Sequence, residues 1–287
     1  MRSRVKDDII QDRYNSRRRG KTDKHIYKSK NEDSIFDPRA FIRGPGNSPS
    51  VVRTLIVKFL KNMFVNAIEK ASRTMFPIFR LEKIGPTEGR IAVVGTGFFI
   101  GPDGKFATAA HVFDTANEKT EFQFRGWMPD KVFNPRLVIK EFKKDASNDL
   151  FIGQVDLETP DYLELSDELA PIGRSVCVSG YPLNSIKTTA AGLDVGGIRR
   201  YFQPTFVLDH AVIESPGKNG NKKHDGFLIR DIGLSGMSGG PIFDTEGLVL
   251  GIQAATISRE NVIGVRKVDV HNGQAIKSSL FKSLLNS

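Results

Sequence analysis

The sequence predicts an all-β protein with one helix ahead of the strands and one behind them, and two observations lead there. Between Phe76 and Val268, short apolar runs are ended repeatedly by Gly, Asn, Asp or Pro turns, the grammar of an antiparallel sandwich or of barrels. A sustained helical rhythm of apolar residues occurs only outside that span, within residues 48–74 and 274–285.

Taken in order, residues 1–47 are polar and charged. Thirteen basic and seven acidic residues lie between Met1 and Ser48, so +6 of the formal net charge of +9 sits in the first sixth of the chain. This stretch reads as a solvated arm. Arg17-Arg18-Arg19-Gly20-Lys21 is the part that would meet a nucleic acid, an anionic surface or an acidic partner. Ser48 then caps a helix and Pro49 fits its first position. Val52, Leu55, Ile56, Phe59, Met63, Ala67 and Ala71 share one face of it. That helix, residues 48–74, is read as packing across its own domain, with a protein-partner interface or a membrane-surface site as the alternatives.

Strands are expected at Phe76–Leu81, Ile91–Ile100, Phe106–Ala110, Glu121–Trp127, Leu137–Phe142 and Leu150–Val155. A second set is expected at Ser175–Gly180, Phe206–Ile213, Gly226–Ile232, Gly240–Phe243, Leu248–Ala255 and Asn261–Val268. Residues 274–285 place Ala275, Ile276, Leu280, Phe281 and Leu284 at helical spacing, for a helix packed back on the last strands. Cys177 is the only cysteine and sits between two valines, which suits a buried thiol in a reducing compartment. No apolar h-region follows the N-terminal charges, and no run approaches the roughly 20 apolar residues of a membrane span. A cytoplasmic protein is expected.

The chemistry centres on Gly236-Met-Ser-Gly-Gly-Pro241, where three glycines crowd Ser238. Such a turn can expose a hydroxyl and aim backbone N–H groups at a ligand. Serine is a weak nucleophile without a base, so the histidines matter. His25 lies in the charged arm, His224 in a Lys- and Asn-rich loop, His271 in a turn, and His210 in a strand where a structural role suits it. His111 instead ends Thr108-Ala-Ala-His111, a strand that narrows to small residues and leaves room for an approaching serine. Asp149 opens the apolar run Asp149-Leu-Phe-Ile152, and a carboxylate entering a buried strand needs a partner. Asp145, in a charged loop, and Asp114, three residues past His111, are the alternatives.

This constellation resembles the chymotrypsin-fold serine peptidases, in particular the trypsin-like domain of HtrA-type proteases. The likeness covers about residues 76–285. It rests on Gly95-Thr-Gly-Phe-Phe-Ile100, Thr108-Ala-Ala-His111, Asp149-Leu-Phe-Ile152, Val176-Cys-Val-Ser-Gly-Tyr-Pro182 and Gly236-Met-Ser-Gly-Gly-Pro241. It implies two six-stranded antiparallel barrels within residues 75–287, one spanning about 75–160 and the other about 170–270. It also implies His111 as base, Asp149 as its orienting carboxylate, Ser238 as nucleophile, and the N–H groups of Gly236 and Ser238 as an oxyanion hole. No cofactor or metal is implied, and the substrate would be a protein or peptide.

The resemblance places Ile232 at the base of the primary pocket, arguing for a small or medium apolar P1 residue. Asp231 is adjacent, and a one-residue slip would reverse that. Gly251-Ile-Gln-Ala-Ala255 would supply the edge that pairs with substrate, with Gln253, Ala254 and Ala255 as its binding residues. Met237 stands where digestive members carry an aspartate that pairs with a freed N-terminus, so activation by N-terminal insertion is not expected. No PDZ domain is recognisable. A catalytically silent, peptide-binding scaffold on the same fold is the competing expectation.

Overall fold

The computed structural model describes residues 63–83, 89–114, 122–128, 137–157, 161–183, 186–189, 192–194, 197–215, 222–263 and 266–287. The basic arm and the larger part of the helix expected at 48–74 lie outside these residues. Its last turns are seen as α1, Val65–Thr74. Ala67, Ala71 and Thr74 form its buried stripe, and the Phe64 ring just before it meets Phe243 edge-on at 6.5 Å. This part of the helix therefore packs on its own domain.

Six segments build the first sheet: β1 (Met75–Lys83), β2 (Gly89–Phe99), β3 (Lys105–Ala109), β4 (Phe122–Gly126), β5 with β6 (Leu137–Val138 and Lys140–Asp145), and β7 (Leu150–Gln154). The pairing order is β5-β4-β1-β2-β3-β7-β6. Its two edge strands, β5 and β6, are separated in the chain only by Ile139. One bent segment thus pairs with β4 through its first two residues and with β7 through the remainder. The expected six-strand barrel is present with its closing strand folded in two, as a half-open barrel. Phenylalanine fills it: Phe76, Phe79, Phe98, Phe99 and Phe106 are wholly buried, and the Phe76 ring stands 5.1 Å from both Phe99 and Phe106.

The second sheet closes completely, in the order β11-β12-β15-β14-β13-β8. Its members are β8 (Ser175–Gly180), β11 (Tyr201–Ser215), β12 (Lys222–Ile229), β13 (Pro241–Phe243), β14 (Val249–Ile263) and β15 (Arg266–Lys277). A small hairpin, β9 (Lys187–Thr189) with β10 (Gly192–Asp194), was not expected from the sequence.

Two expectations are corrected. Asn261–Val268 is not one strand: Ile263 pairs with Arg266, so the chain reverses inside it and β14 runs straight into its hairpin partner. The last helix, α2, is Ser278–Asn286 and does not start at Gln274. Residues 274–276 pair with both β12 and β14. Two neighbouring ladders outweigh a local helical pattern whose apolar residues also satisfy a buried strand. Phe281 of α2 is fully buried, and Ser278 Oγ donates to the Ser166 carbonyl at 2.8 Å.

Cys177 has no exposed surface, and burial pushes its thiol up to about 12. The thiolate is the reactive form. A colorimetric disulfide reagent at pH 8 should therefore titrate no thiol in the native protein and one per chain after unfolding. Prompt reaction of the native chain would show that β8 opens.

Candidate active site

His111 lies in the 3-10 turn Ala110–Phe113 that follows β3, and Asp149 opens β7 beside it. Antiparallel pairing of Ala109 with Leu150 brings the two together. Asp149 Oδ1 accepts the backbone N–H of His111 at 2.8 Å, and its Oδ2 lies 2.7 Å from His111 Nδ1. Its carbonyl accepts the Ala110 N–H at 3.0 Å. Each acceptor of Asp149 is thus turned to the same short segment, which holds the residue at φ 57, a left-handed conformation that aspartate tolerates better than most. The Asp149 side chain is 3% exposed and that of His111 34%. An ionised carboxylate can only accept, so Nδ1 carries the proton and Nε2 holds the lone pair. That is the tautomer of a general base.

The other candidate residues separate cleanly. His210 Nε2 lies 2.7 Å from the Ala170 carbonyl and His271 Nδ1 2.7 Å from Ser258 Oγ, so each of these ring nitrogens faces a neutral oxygen. Asp145 accepts the N–H groups of Ser147 and Asn148 and so shapes its own turn. Asp114 follows the His111 turn, its N–H donating to the His111 carbonyl. His25 falls outside the described residues.

Ser238 reaches this region from the second barrel. Its carbonyl accepts the Thr96 N–H at 2.8 Å. A Cβ added to Gly95 would stand 2.6 Å from Val112 Cγ2 and 3.0 Å from the Ser238 carbonyl oxygen. The residue after His111 and the backbone of Ser238 therefore converge on one glycine. Thr96, which sequence reasoning passed over, is the hub of the junction. Its Oγ1 donates to the Gly236 carbonyl at 2.8 Å and accepts the Tyr181 N–H at 3.1 Å. Its own carbonyl accepts Thr108 Oγ1 at 2.8 Å. The only sequence signal was its place between Gly95 and Gly97.

The peptide planes of the turn are held by their carbonyls. Ser235 C=O accepts the Leu183 N–H at 2.9 Å, and Met237 C=O accepts the Gly240 N–H at 2.8 Å. In a trans peptide the N–H points opposite its C=O. The N–H groups of Gly236 and Ser238 are therefore turned away from those partners, and among the described residues neither donates to a backbone carbonyl. Gly236 is required where it stands: φ is 95, and a Cβ would lie 2.3 Å from the Tyr181 carbonyl oxygen. Met237 is wholly buried in an apolar cluster with Val176, Val178 and Ile242, so it serves the core where a carboxylate would serve an activation switch.

Of the residues assigned to substrate, Ile232 is 39% exposed, whereas Gln253 and Ala254 are buried at 2% and 5%; Ala255 is half-buried. Gln253 lies directly beside the Ser238 turn, its carbonyl accepting the Gly239 N–H at 2.7 Å and its N–H donating to the Gly240 carbonyl at 2.9 Å.

Two barrel-like sheets, a His–Asp pair on one and a glycine-framed serine turn on the other, define a chymotrypsin-like protein. The chain belongs to the trypsin-like peptidase domain family, which matches residues 95–252. It is similar to the serine protease Rv3671c of Mycobacterium tuberculosis, with 31% identity over 161 residues, 55% of this chain and 35% of that protein. The chain spans about a fifth to a third of the length of the curated relatives it matches. The active form of the Rv3671c protease superposes with a TM-score of 0.53 at 24% identity, covering 77% of this chain and 82% of that one. The HtrA-type protease AlgW, solved with a decapeptide, gives 0.55 at 15% identity over 77% and 67%. Likenesses at such identity bear on the fold alone. Among the described residues, no helix is long and apolar enough to cross a membrane.

Proposed function

We propose that this chain is a serine endopeptidase that hydrolyses peptide bonds through an acyl-enzyme, with His111, Asp149 and Ser238 as its triad. The observation that carries the reading is the 2.7 Å contact between His111 Nδ1 and a carboxylate shut off from water. Such a pair leaves Nε2 as proton acceptor and stabilises the imidazolium that forms.

In this reading Ser238 Oγ attacks the scissile carbonyl as its proton passes to His111 Nε2. The carbonyl oxygen, now negative, is received by the N–H groups of Gly236 and Ser238, each donor worth about 3 kcal/mol in the transition state. The tetrahedral intermediate expels the amine, which takes the proton from His111, and the acyl group stays on Ser238. Water then repeats the sequence with His111 as base, and the acid is released. A small or medium apolar P1 side chain is proposed, since Ile232, Ala254 and Ala255 bring no charge to the substrate. The basic arm and the helix read at 48–74 are proposed as recruiting segments. The reducing cytoplasm is the location that suits a lone buried thiol.

A fluorophosphonate probe tests this. Wild-type protein should be labelled on Ser238, and Ser238→Ala or His111→Ala should abolish labelling while leaving the far-UV spectrum unchanged. Failure of folded wild type to label, with or without added peptides, would hand the fold to the competing scaffold reading.

A further inference from the structure

The side chain of a P1 residue leaves the scissile carbonyl beside Ser238. In the peptidase reading it would pass between the segment leading into that turn, residues 231–235, and the strand alongside it, β14. In this chain those two walls meet closely at two points. A Cβ placed on Gly233 would stand 2.3 Å from Gln253 Nε2, 2.5 Å from Cδ and 3.0 Å from Cγ. The Gln253 carboxamide therefore lies flat against the Gly233 backbone and occupies the space a side chain would use. Its Nε2 donates to the Ala255 carbonyl at 2.6 Å, which holds it there. Nearer the surface, Thr256 Oγ1 donates to the Gly233 carbonyl at 3.0 Å, a hydrogen bond that joins the two walls.

Gln253 occupies this place at a cost. Its Oε1 is buried without a hydrogen-bond partner among the described residues. A buried acceptor left unmade is unfavourable, and an apolar side chain of the same length would fill the space without that penalty. A buried polar group left unpaired in a native core calls for an explanation.

We infer that Gln253, with Thr256 at the mouth, plugs the primary pocket, so that the substrates are polypeptides with glycine, alanine or serine before the scissile bond. The inference rests on the peptidase reading for the position of P1, and it narrows the size expected there. It also moves the determinant: Ile232, at 39% exposure, lies on the rim, and Gln253 sets the depth. A methyl or hydroxymethyl group fits ahead of the plug, while a leucine or phenylalanine side chain must displace a carboxamide held through its Nε2.

A peptide series differing only at P1 tests this. Wild type should cleave the alanine peptide with kcat/KM at least 100-fold above the leucine and phenylalanine peptides. Gln253→Ala or Gln253→Ser should raise the leucine-to-alanine ratio by 10-fold or more. Gln253→Met, which keeps the volume, should leave that ratio near the wild-type value. Thr256→Val, at an exposed position, should shift it by a few-fold only. A wild type that prefers leucine or phenylalanine overturns the inference without any variant, as does a Gln253→Ala protein that is folded and keeps the wild-type ratio. The same peptides should be titrated onto Ser238→Ala by fluorescence anisotropy. If wild type cleaves nothing and resists the fluorophosphonate, the peptidase reading falls, and the anisotropy series still decides the pocket. Tighter binding of the alanine peptide, reversed by Gln253→Ala, upholds the plug; equal binding of all P1 residues removes it.

Discussion

Asp149→Asn should lower kcat by about four orders of magnitude with little change in KM, and the reason lies in which oxygen does what. Asp149 Oδ1 accepts the His111 backbone N–H at 2.8 Å while Oδ2 meets Nδ1 at 2.7 Å. An asparagine must keep its carbonyl oxygen towards the backbone donor, so its NH2 group turns to the ring. Nδ1 is then forced to accept, the proton moves to Nε2, and the imidazole can no longer take a proton from Ser238. Asparagine also tolerates the left-handed backbone at this position, where φ is 57. The variant should therefore fold with an unchanged melting temperature, to within a few degrees. Steady-state kinetics on a cleaved peptide, paired with thermal denaturation, checks both halves. Retention of a tenth or more of kcat would remove Asp149 from the triad.

Gly239→Ala should be severely damaging. A Cβ there would lie 1.9 Å from Thr108 Oγ1, 2.6 Å from the Thr96 carbonyl oxygen and 2.8 Å from the Ala109 nitrogen, at a φ of +82. Two of these three atoms are backbone in the first barrel and cannot rotate aside. The turn must back away from that barrel, which breaks the Thr96–Ser238 and Thr96–Gly236 hydrogen bonds. Overpacking and backbone strain together should cost about 3 kcal/mol or more, and the folded fraction should lose fluorophosphonate labelling. Gly173→Ala is the control. Its φ is +83, but no atom lies within 4 Å of the added carbon, so only the conformational cost of about 1 kcal/mol applies. Chemical denaturation of the two variants separates the terms. Equal destabilisation would mean that contact between the barrels at Gly239 contributes nothing.

Much of the site was legible in the chain because its demands are local. A serine that must be exposed needs glycines around it, so Gly236, Gly239 and Gly240 mark the turn. A histidine that must receive a partner from another barrel needs small neighbours, which Ala109 and Ala110 supply. The failures have one physical origin. Gln274–Lys277 carry apolar residues at helical spacing, yet two flanking strands offer ladder partners there, and a propensity pattern cannot see them. Asn261–Val268 reads as one continuous strand by its apolar content, and only the register of the ribbon, with Ile263 opposite Arg266, places the reversal within it.

By itself the sequence determined that the chain is built of antiparallel strands between two helices and that the only thiol is buried, and it pointed to His111, Asp149 and Ser238 as the candidate catalytic residues. The tertiary structure decided which groups hold that chemistry in place. Thr96 meets Gly236 across 140 residues of chain, and Gln253 turns its carboxamide onto Gly233. Neither contact has a local signature, because each depends on two distant segments being packed to within van der Waals distance. Packing of that kind is settled by the whole core, and it sets both how the glycine-framed turn is held and what fits beside it.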